Sequence, residues 1–226
     1  MLANWVHVNR HAASTLLVVP GWGLLPGYFA DSLPHHNLWV LNAFLDDAAT
    51  PTYLQESLGN DDYSVVNQPV AAIMSNCDAL FTCSMGLQWA DAHVPNWAMH
   101  PMVLASPSRN YCPLELRAMN RRLIRSPKAT LRAFYKACFG SSGAWAWWVS
   151  RHLDAHLDCN APAALTHWLT TVGNREVRIP AHATGRILVD PNDPIGKKYS
   201  LDNGDQWVIE QLPSHLVQYW PVDGNG

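Results

Sequence analysis

The sequence predicts an α/β fold with a mostly parallel central sheet. Short apolar runs without polar alternation, typical of strands buried on both faces, alternate with helical segments. The chain has 226 residues, of which 48% are hydrophobic and 15% charged. That is enough for one globular domain with a full core. No stretch approaches the length of about 18 apolar residues that a membrane-spanning helix needs.

The predicted strands are short and rich in β-branched and large apolar residues. In chain order they cover 15–19, 37–41, 78–82, 102–105, 186–189 and 206–209. Residues 65–75 are predicted to be helical despite Pro69. A further helix is predicted over 85–92, directly after the third strand. Strands that alternate with helices in this way favour parallel pairing.

Between about 113 and 172 the pattern is helical only. Residues 113–125 place apolar side chains at helical spacing, and Ser126-Pro127 supplies an N-cap followed by a Pro at the first helical position. We interpret this stretch as an insertion between two strands of the sheet. The expected organisation is an α/β core formed by 1–109 and 174–226, with a helical cap over 110–173 inserted before the acid-bearing strand.

A nucleophile motif lies between the third predicted strand and the helix after it. Residues 82–86 read Thr-Cys-Ser-Met-Gly, and a small-x-Ser-x-Gly turn in that context is the nucleophile elbow of α/β-hydrolases. The sharp turn would lift the Ser84 hydroxyl above the sheet. Thr82 stands where the pattern has Gly, so its side chain must find room beside the helix. We interpret Cys83 as a small buried residue and not as the nucleophile.

A serine nucleophile needs a base and an acid that orients the base, and in this fold they follow in the order acid, then His. Asp190 and Asp193 come directly after the strand 186–189. Asp193 aligns with the triad position, whereas Asp190 is nearer the strand and is interpreted as structural. His215 is the only His after Asp193. The predicted catalytic triad is therefore Ser84, Asp193 and His215.

The predicted oxyanion hole uses two backbone N–H groups. Met85, the residue after the nucleophile, supplies one of them. The second is expected from the loop after the first predicted strand, where Gly21-Trp22-Gly23 lets the backbone approach closely, and we assign it to Trp22.

The cysteine and histidine patterns argue against disulfide bonds and against a metal site. The five Cys residues are odd in number and form no C-x-x-C pair, so we expect free thiols in a reducing cytosol. The N-terminus lacks the pattern of a signal peptide, which also favours a cytoplasmic location. His152 and His156 have the i, i+4 spacing of a metal pair, but we assign them to an exposed polar helix face. No cofactor and no metal are expected.

Charge is unevenly distributed along the chain. The formal net charge is −3, which argues against a general nucleic-acid binder. Residues 109–136 nevertheless hold eight basic residues and one acidic residue. This block either docks an acidic partner or is an ordinary solvated helix face. The candidate docking residues are Arg117, Arg121, Arg122, Arg125, Lys128 and Arg132.

Four stretches resemble the pimeloyl-acyl-carrier-protein methyl ester esterases of biotin synthesis, a branch of the α/β-hydrolase superfamily. Residues 19–24 are similar to that family's His-Gly-Trp-Gly-Leu, with Pro20 in place of His, and 83–86 to its Trp-Ser-Met/Leu-Gly. Residues 104–108 resemble the end of the strand before its cap, and 119–140 its first cap helices. The resemblance implies a serine carboxylesterase that hydrolyses the methyl ester of pimeloyl-acyl carrier protein. The acidic carrier protein would dock on a basic cap.

Two alternatives stay open at this point. The first is that the chain is another acyl esterase or a thioesterase of the same fold. Assays that compare methyl esters with thioesters as substrates would distinguish these enzymes. It could also be a degenerate, non-catalytic homologue that binds an acyl ligand or a protein. Thr82, Pro20 and the short segment after His215 keep this second alternative open.

The two candidate acids make different predictions. Asp193→Asn should abolish most ester hydrolysis, because His215 would be held in the wrong tautomer. Asp190→Asn should mainly lower the melting temperature. Steady-state rates and thermal unfolding of both variants test the assignment, and the reverse pattern would move the catalytic acid to Asp190.

Overall fold

A computed structural model describes residues 2–46, 48–59, 62–139, 142–189 and 207–211. Within them, eight strands form one sheet in the order β4-β1-β3-β2-β5-β6-β7-β8. The strands are β1 Leu2–Asn9, β2 Thr15–Val19, β3 Asn37–Leu41, β4 Asp62–Pro69, β5 Ala79–Cys83, β6 Met102–Ala105, β7 Gly185–Val189 and β8 Trp207–Gln211. In this spatial order, each neighbouring pair in the run β3-β2-β5-β6-β7-β8 is parallel. The predicted mostly parallel sheet is therefore confirmed.

Helices connect the strands and fill a long insertion between β6 and β7. The described α-helices are α1 Pro26–Ser32, α2 Thr50–Leu58, α3 Val70–Met74, α4 Gly86–His93, α5 Pro113–Arg125, α6 Pro127–Phe139, α7 Ser142–Arg151, α8 Leu153–Cys159 and α9 Pro162–His167. A 3-10 turn covers Trp97–Met99, and α9 continues as a π-helical turn over Trp168–Val172. We call α5 to α9 with this last turn, Pro113–Val172, the inserted helices.

The helical prediction for residues 65–75 is wrong. Asp62–Pro69 forms β4, and only Val70–Met74 is helical. β4 pairs antiparallel with β1, a strand that the sequence did not reveal. β4 lies at the edge of the sheet and is largely exposed, so it lacks the apolar pattern of the buried strands. Pro69 is its last residue, a position where a proline costs no ladder hydrogen bond.

The inserted helices pack on segments that follow the carboxyl ends of the strands. Phe44, just after β3, contacts Trp168 with ring centroids 4.6 Å apart. Tyr28, in the helix after β2, contacts Phe139 at 6.2 Å. In open α/β sheets ligands bind outside the carboxyl ends of the strands. The inserted helices therefore cover the edge of the sheet where a site is expected.

Trp148 belongs to the core of the inserted helices. Its ring is fully buried, 4.3 Å from Tyr135 and 4.9 Å from Phe139 between centroids. All five cysteines are free thiols. Among the described helices, none combines the length and hydropathy needed to cross a bilayer.

Candidate active site

Ser84 occupies the sharp turn between β5 and α4. Its φ is +48°, a left-handed conformation that costs a non-glycine residue about 1–3 kcal/mol and is concentrated at functional sites. The strained residue is held in the sheet, because its N–H donates to the carbonyl of Ala105 at 2.8 Å. The turn has the geometry that the sequence motif predicted for a nucleophile.

Gly86 makes this turn possible. A Cβ at residue 86 would lie 2.4 Å from the carbonyl oxygen of Val19 and 2.7 Å from that of Pro20. Both oxygens belong to the backbone and cannot move aside cheaply. The first residue of α4 must therefore be a glycine for the helix to pack this closely on the end of β2.

The two residues before Ser84 are both buried. Cys83 is 2% exposed, as expected for a small core residue. Thr82 is also enclosed between β2 and β6, where it pairs with Val19 and Leu104. Its hydroxyl finds no hydrogen-bond partner within the described part of the chain. Threonine therefore fits in place of the usual glycine, but with an unsatisfied buried oxygen, which lowers stability.

A cavity of about 310 Å³ opens onto Ser84. Trp22 and Met85 lie beside the serine, and α5 and α6 form most of the walls. The apolar wall residues are Leu116, Met119, Ala133, Phe134, Ala137 and Leu169. Glu115 and Arg122, both exposed, add charge to the same cavity. Such a cavity suits an acyl chain with its polar end outside.

Tyr111 contacts the candidate nucleophile, and sequence reasoning missed it. Its Oη lies 2.9 Å from Ser84 Oγ, and its ring lines the cavity. The only available signal was position, since Tyr111 lies between β6 and α5, in a segment that follows the carboxyl end of a strand next to β5.

The backbone N–H groups predicted as oxyanion donors belong to Trp22 and Met85. Neither the Trp22 nor the Met85 N–H donates a hydrogen bond to any group in the described residues. Trp22 is the second residue of a β-turn closed by the Leu24 N–H, which donates to Gly21 O at 3.2 Å. Gly23, the third residue, has φ +72°, as a type II turn requires. This turn leaves the Trp22 N–H unused.

The predicted acid Asp193, its neighbour Asp190 and the predicted base His215 lie outside the described residues. β7, which directly precedes Asp190, pairs with β6 in parallel, so its carboxyl end lies at the same edge of the sheet as Ser84.

The basic block lies on α5 and α6, which also wall the cavity. The six candidate docking residues within it are all exposed, and we call them the basic surface: Arg117, Arg121, Arg122, Arg125, Lys128 and Arg132. Lys128 pairs with Asp158. The five arginines make no ion pair with any carboxylate that the structure describes. Leu114 and Ile124 of α5 are 68% and 69% exposed, which adds apolar area to this helix.

The expectation that His152 and His156 lie on an exposed helix face is wrong. His152 is 6% exposed and His156 fully buried. His156 donates from Nδ1 to the carbonyl of His152 at 2.9 Å and accepts the Leu25 N–H at Nε2, 3.1 Å away. Both ring nitrogens are used, so His156 has a structural role. Among the described residues, no group of His, Cys, Asp or Glu side chains could hold a metal ion.

Comparison with known proteins identifies the fold. No family model and no curated protein matches this chain. Similar solved structures include an enol-lactonase from Burkholderia xenovorans LB400, 11% identical, covering 95% of this chain and 89% of that one with a TM-score of 0.62. BioG from Haemophilus influenzae is 12% identical over 97% of both chains, with a TM-score of 0.57. An esterase from Exiguobacterium antarcticum is 9% identical, and the match covers 93% of this chain and 86% of that one with a TM-score of 0.62. This likeness shows the α/β-hydrolase fold.

The close packing at Gly86 gives a stability prediction. Gly86→Ala should lower the free energy of unfolding by about 3 kcal/mol or more, because the added methyl group overlaps two carbonyl oxygens. Gly59→Ala is the matched control. Its Cβ would meet nothing within 4 Å, so its loss comes only from the backbone strain of φ +57° and ψ −111°, about 1–3 kcal/mol. Urea denaturation measures both, and equal losses would contradict the close approach at Gly86.

Proposed function

We propose that this protein is a serine carboxylesterase that hydrolyses the methyl ester of pimeloyl-acyl carrier protein. The observation that carries the proposal is the strained Ser84, which faces an apolar cavity beside two unused backbone N–H groups. Structures with this fold include an esterase and an enol-lactonase, which is consistent with ester cleavage. The methyl ester and the carrier protein come from the resemblance of the four sequence stretches.

In the proposed reaction, Ser84 Oγ attacks the ester carbonyl while His215 removes its proton. The negative charge that develops on the carbonyl oxygen is stabilised by the N–H groups of Trp22 and Met85. Collapse of this intermediate releases methanol, which takes the proton from His215, and leaves an acyl-enzyme on Ser84. Water, deprotonated by His215, then cleaves the acyl-enzyme to give the free carboxylate. Asp193 holds the imidazole in orientation throughout.

The cavity and the basic surface support the choice of substrate in different ways. An apolar wall from α5 and α6 would hold the methylene chain, and the volume of about 310 Å³ suits a short chain. The basic surface would attract an acidic carrier protein, and Arg122 belongs to both features. The exposed Leu114 and Ile124 would add apolar contact to such an interface.

The role of the nucleophile is tested with Ser84→Ala. We expect ester hydrolysis to fall by about 10³-fold or more with no change in circular dichroism, since the triad acts as a unit. A fluorophosphonate should label the unmodified protein and not the variant.

Cys83→Ala is the matched control for the nucleophile and should keep its activity and labelling. An active Ser84→Ala together with an inactive Cys83→Ala would contradict the proposed role of Ser84. If the unmodified protein is neither labelled nor active, the non-catalytic alternative is correct.

The role of the basic surface is tested by charge reversal at Arg121, Arg125 and Arg132. We expect a higher KM for carrier-bound substrate and a smaller change in kcat, because docking contacts are shared by ground and transition states. Hydrolysis of p-nitrophenyl butyrate should be nearly unchanged. Added salt should weaken only the carrier-linked reaction, since exposed charges are screened over about 8 Å.

Arg178→Glu, a reversal at another exposed arginine outside the basic surface, is the control and should alter neither reaction. Equal losses on both substrates would indicate a folding defect of the inserted helices. No loss on either substrate would make the basic surface an ordinary solvated helix face.

A further inference from the structure

The carbonyl of Gly23, in the turn that holds Trp22, is hydrogen-bonded by two side chains of the inserted helices. Tyr135 Oη donates to it at 2.6 Å and Asn160 Nδ2 at 3.1 Å, and both bonds are buried. Asn160 Nδ2 also lies 3.2 Å from Tyr135 Oη, so the three groups form one cluster. A single donor is enough to satisfy a buried carbonyl. A second donor also restricts the direction in which the Gly23 C=O bond points.

Trp22, within the turn, and Leu25, the residue directly after it, are also bound by the inserted helices. The indole N–H of Trp22 donates to the carbonyl of Leu165 in α9 at 2.9 Å. The Leu25 N–H donates to Nε2 of His156 in α8 at 3.1 Å. Burial lowers the pKa of His156 well below its usual value, so its ring is neutral and keeps Nε2 as an acceptor. The turn is thus bound by Tyr135 of α6, by the Leu165 carbonyl of α9 and by Asn160, and the residue after it by His156 of α8.

The turn needs hydrogen bonds from outside because its own sequence allows several backbone conformations. Trp22 stands between two glycines, which adopt several backbone conformations at low cost. The one backbone hydrogen bond within the turn, from Leu24 to Gly21, is long at 3.2 Å. An oxyanion donor, by contrast, must be held within a few tenths of an ångström of its working position.

We propose that Tyr135 and Asn160, supported by His156, are positioning residues that hold the Gly21–Leu24 turn so that the Trp22 N–H points at the reacting carbonyl oxygen. The proposal rests on the esterase function and assigns to the inserted helices a part in the rate of the chemical step. None of the three side chains lines the cavity, so their effect passes through the backbone of the turn.

The test is Tyr135→Phe, which removes the hydroxyl and keeps the ring. With p-nitrophenyl butyrate we expect kcat to fall by about 10-fold or more and KM to change by less than about 2-fold. The inhibition constant of a phenylboronic acid, which forms a tetrahedral adduct with the serine, should rise by the same factor as kcat/KM falls. A merely structural role would lower thermal stability without this proportionality.

Tyr53→Phe is the matched control. Tyr53 is also buried, and its hydroxyl accepts a hydrogen bond from the Gly27 N–H at 2.9 Å, in α1 and outside the turn. We expect it to lose stability and to keep kcat and boronate affinity. Asn160→Ala removes the other donor to Gly23 and should lower kcat in the same way, which keeps the test valid if Tyr135→Phe does not fold.

The outcomes separate this proposal from the proposed function. If the unmodified protein neither hydrolyses esters nor reacts with a fluorophosphonate, the esterase function fails and the positioning role fails with it. If the unmodified protein is active but Tyr135→Phe or Asn160→Ala, when folded, matches it in kcat and boronate affinity, the positioning role alone is overturned. A similar loss of kcat in Tyr53→Phe would also overturn it.

Discussion

The whole site depends on how closely α4 packs on the end of β2. A side chain at residue 86 would overlap the carbonyl oxygens of Val19 and Pro20, so the approach requires glycine. This contact allows the chain to reverse between β5 and α4 with Ser84 at the apex in a left-handed conformation. It also brings the loop after β2 next to the serine, since a Cβ on Gly21 would lie 3.3 Å from that of Ser84. The candidate nucleophile and the candidate oxyanion turn are therefore positioned by one packing contact.

The inserted helices wall the cavity, expose a basic surface to solvent and bind the turn after β2. α5 and α6 wall the cavity with residues such as Leu116 and Phe134, while arginines such as Arg121 face solvent. Deeper in the insertion, Tyr135 and Asn160 bind the turn after β2. A change in the packing of these helices would therefore alter both the shape of the cavity and the backbone beside Ser84. These helices are thus part of the site as well as its cover.

The sequence predicted the elements that carry a strong local signal. Ser84, Met85 and Gly86 were found because the motif reports a backbone geometry that the fold imposes, and the parallel strands because they are buried on both faces. β4 was missed because it is an edge strand and largely exposed, and β1, which lies between β4 and β3, because its buried positions are interrupted by partly exposed polar ones. The role of His156 was missed because its partner, Leu25, is distant in sequence and supplies only a backbone N–H. Polar contacts of this kind leave no pattern in one sequence.

The two proposals assign different roles to exposed and buried side chains of the inserted helices. The basic surface is exposed, so the attraction proposed between it and an acidic partner would act through solvent and fall with added salt. The hydrogen bonds from Tyr135 and Asn160 to Gly23 are buried, where a polar interaction is stronger and is not screened. Under the proposed function, substitutions in the basic surface would alter affinity for the carrier without disturbing the turn. Under the proposed positioning role, substitutions at Tyr135 or Asn160 would change the rate without changing the exposed surface. Arg122, exposed on α5 and lining the cavity, links the basic surface to the cavity beside Ser84.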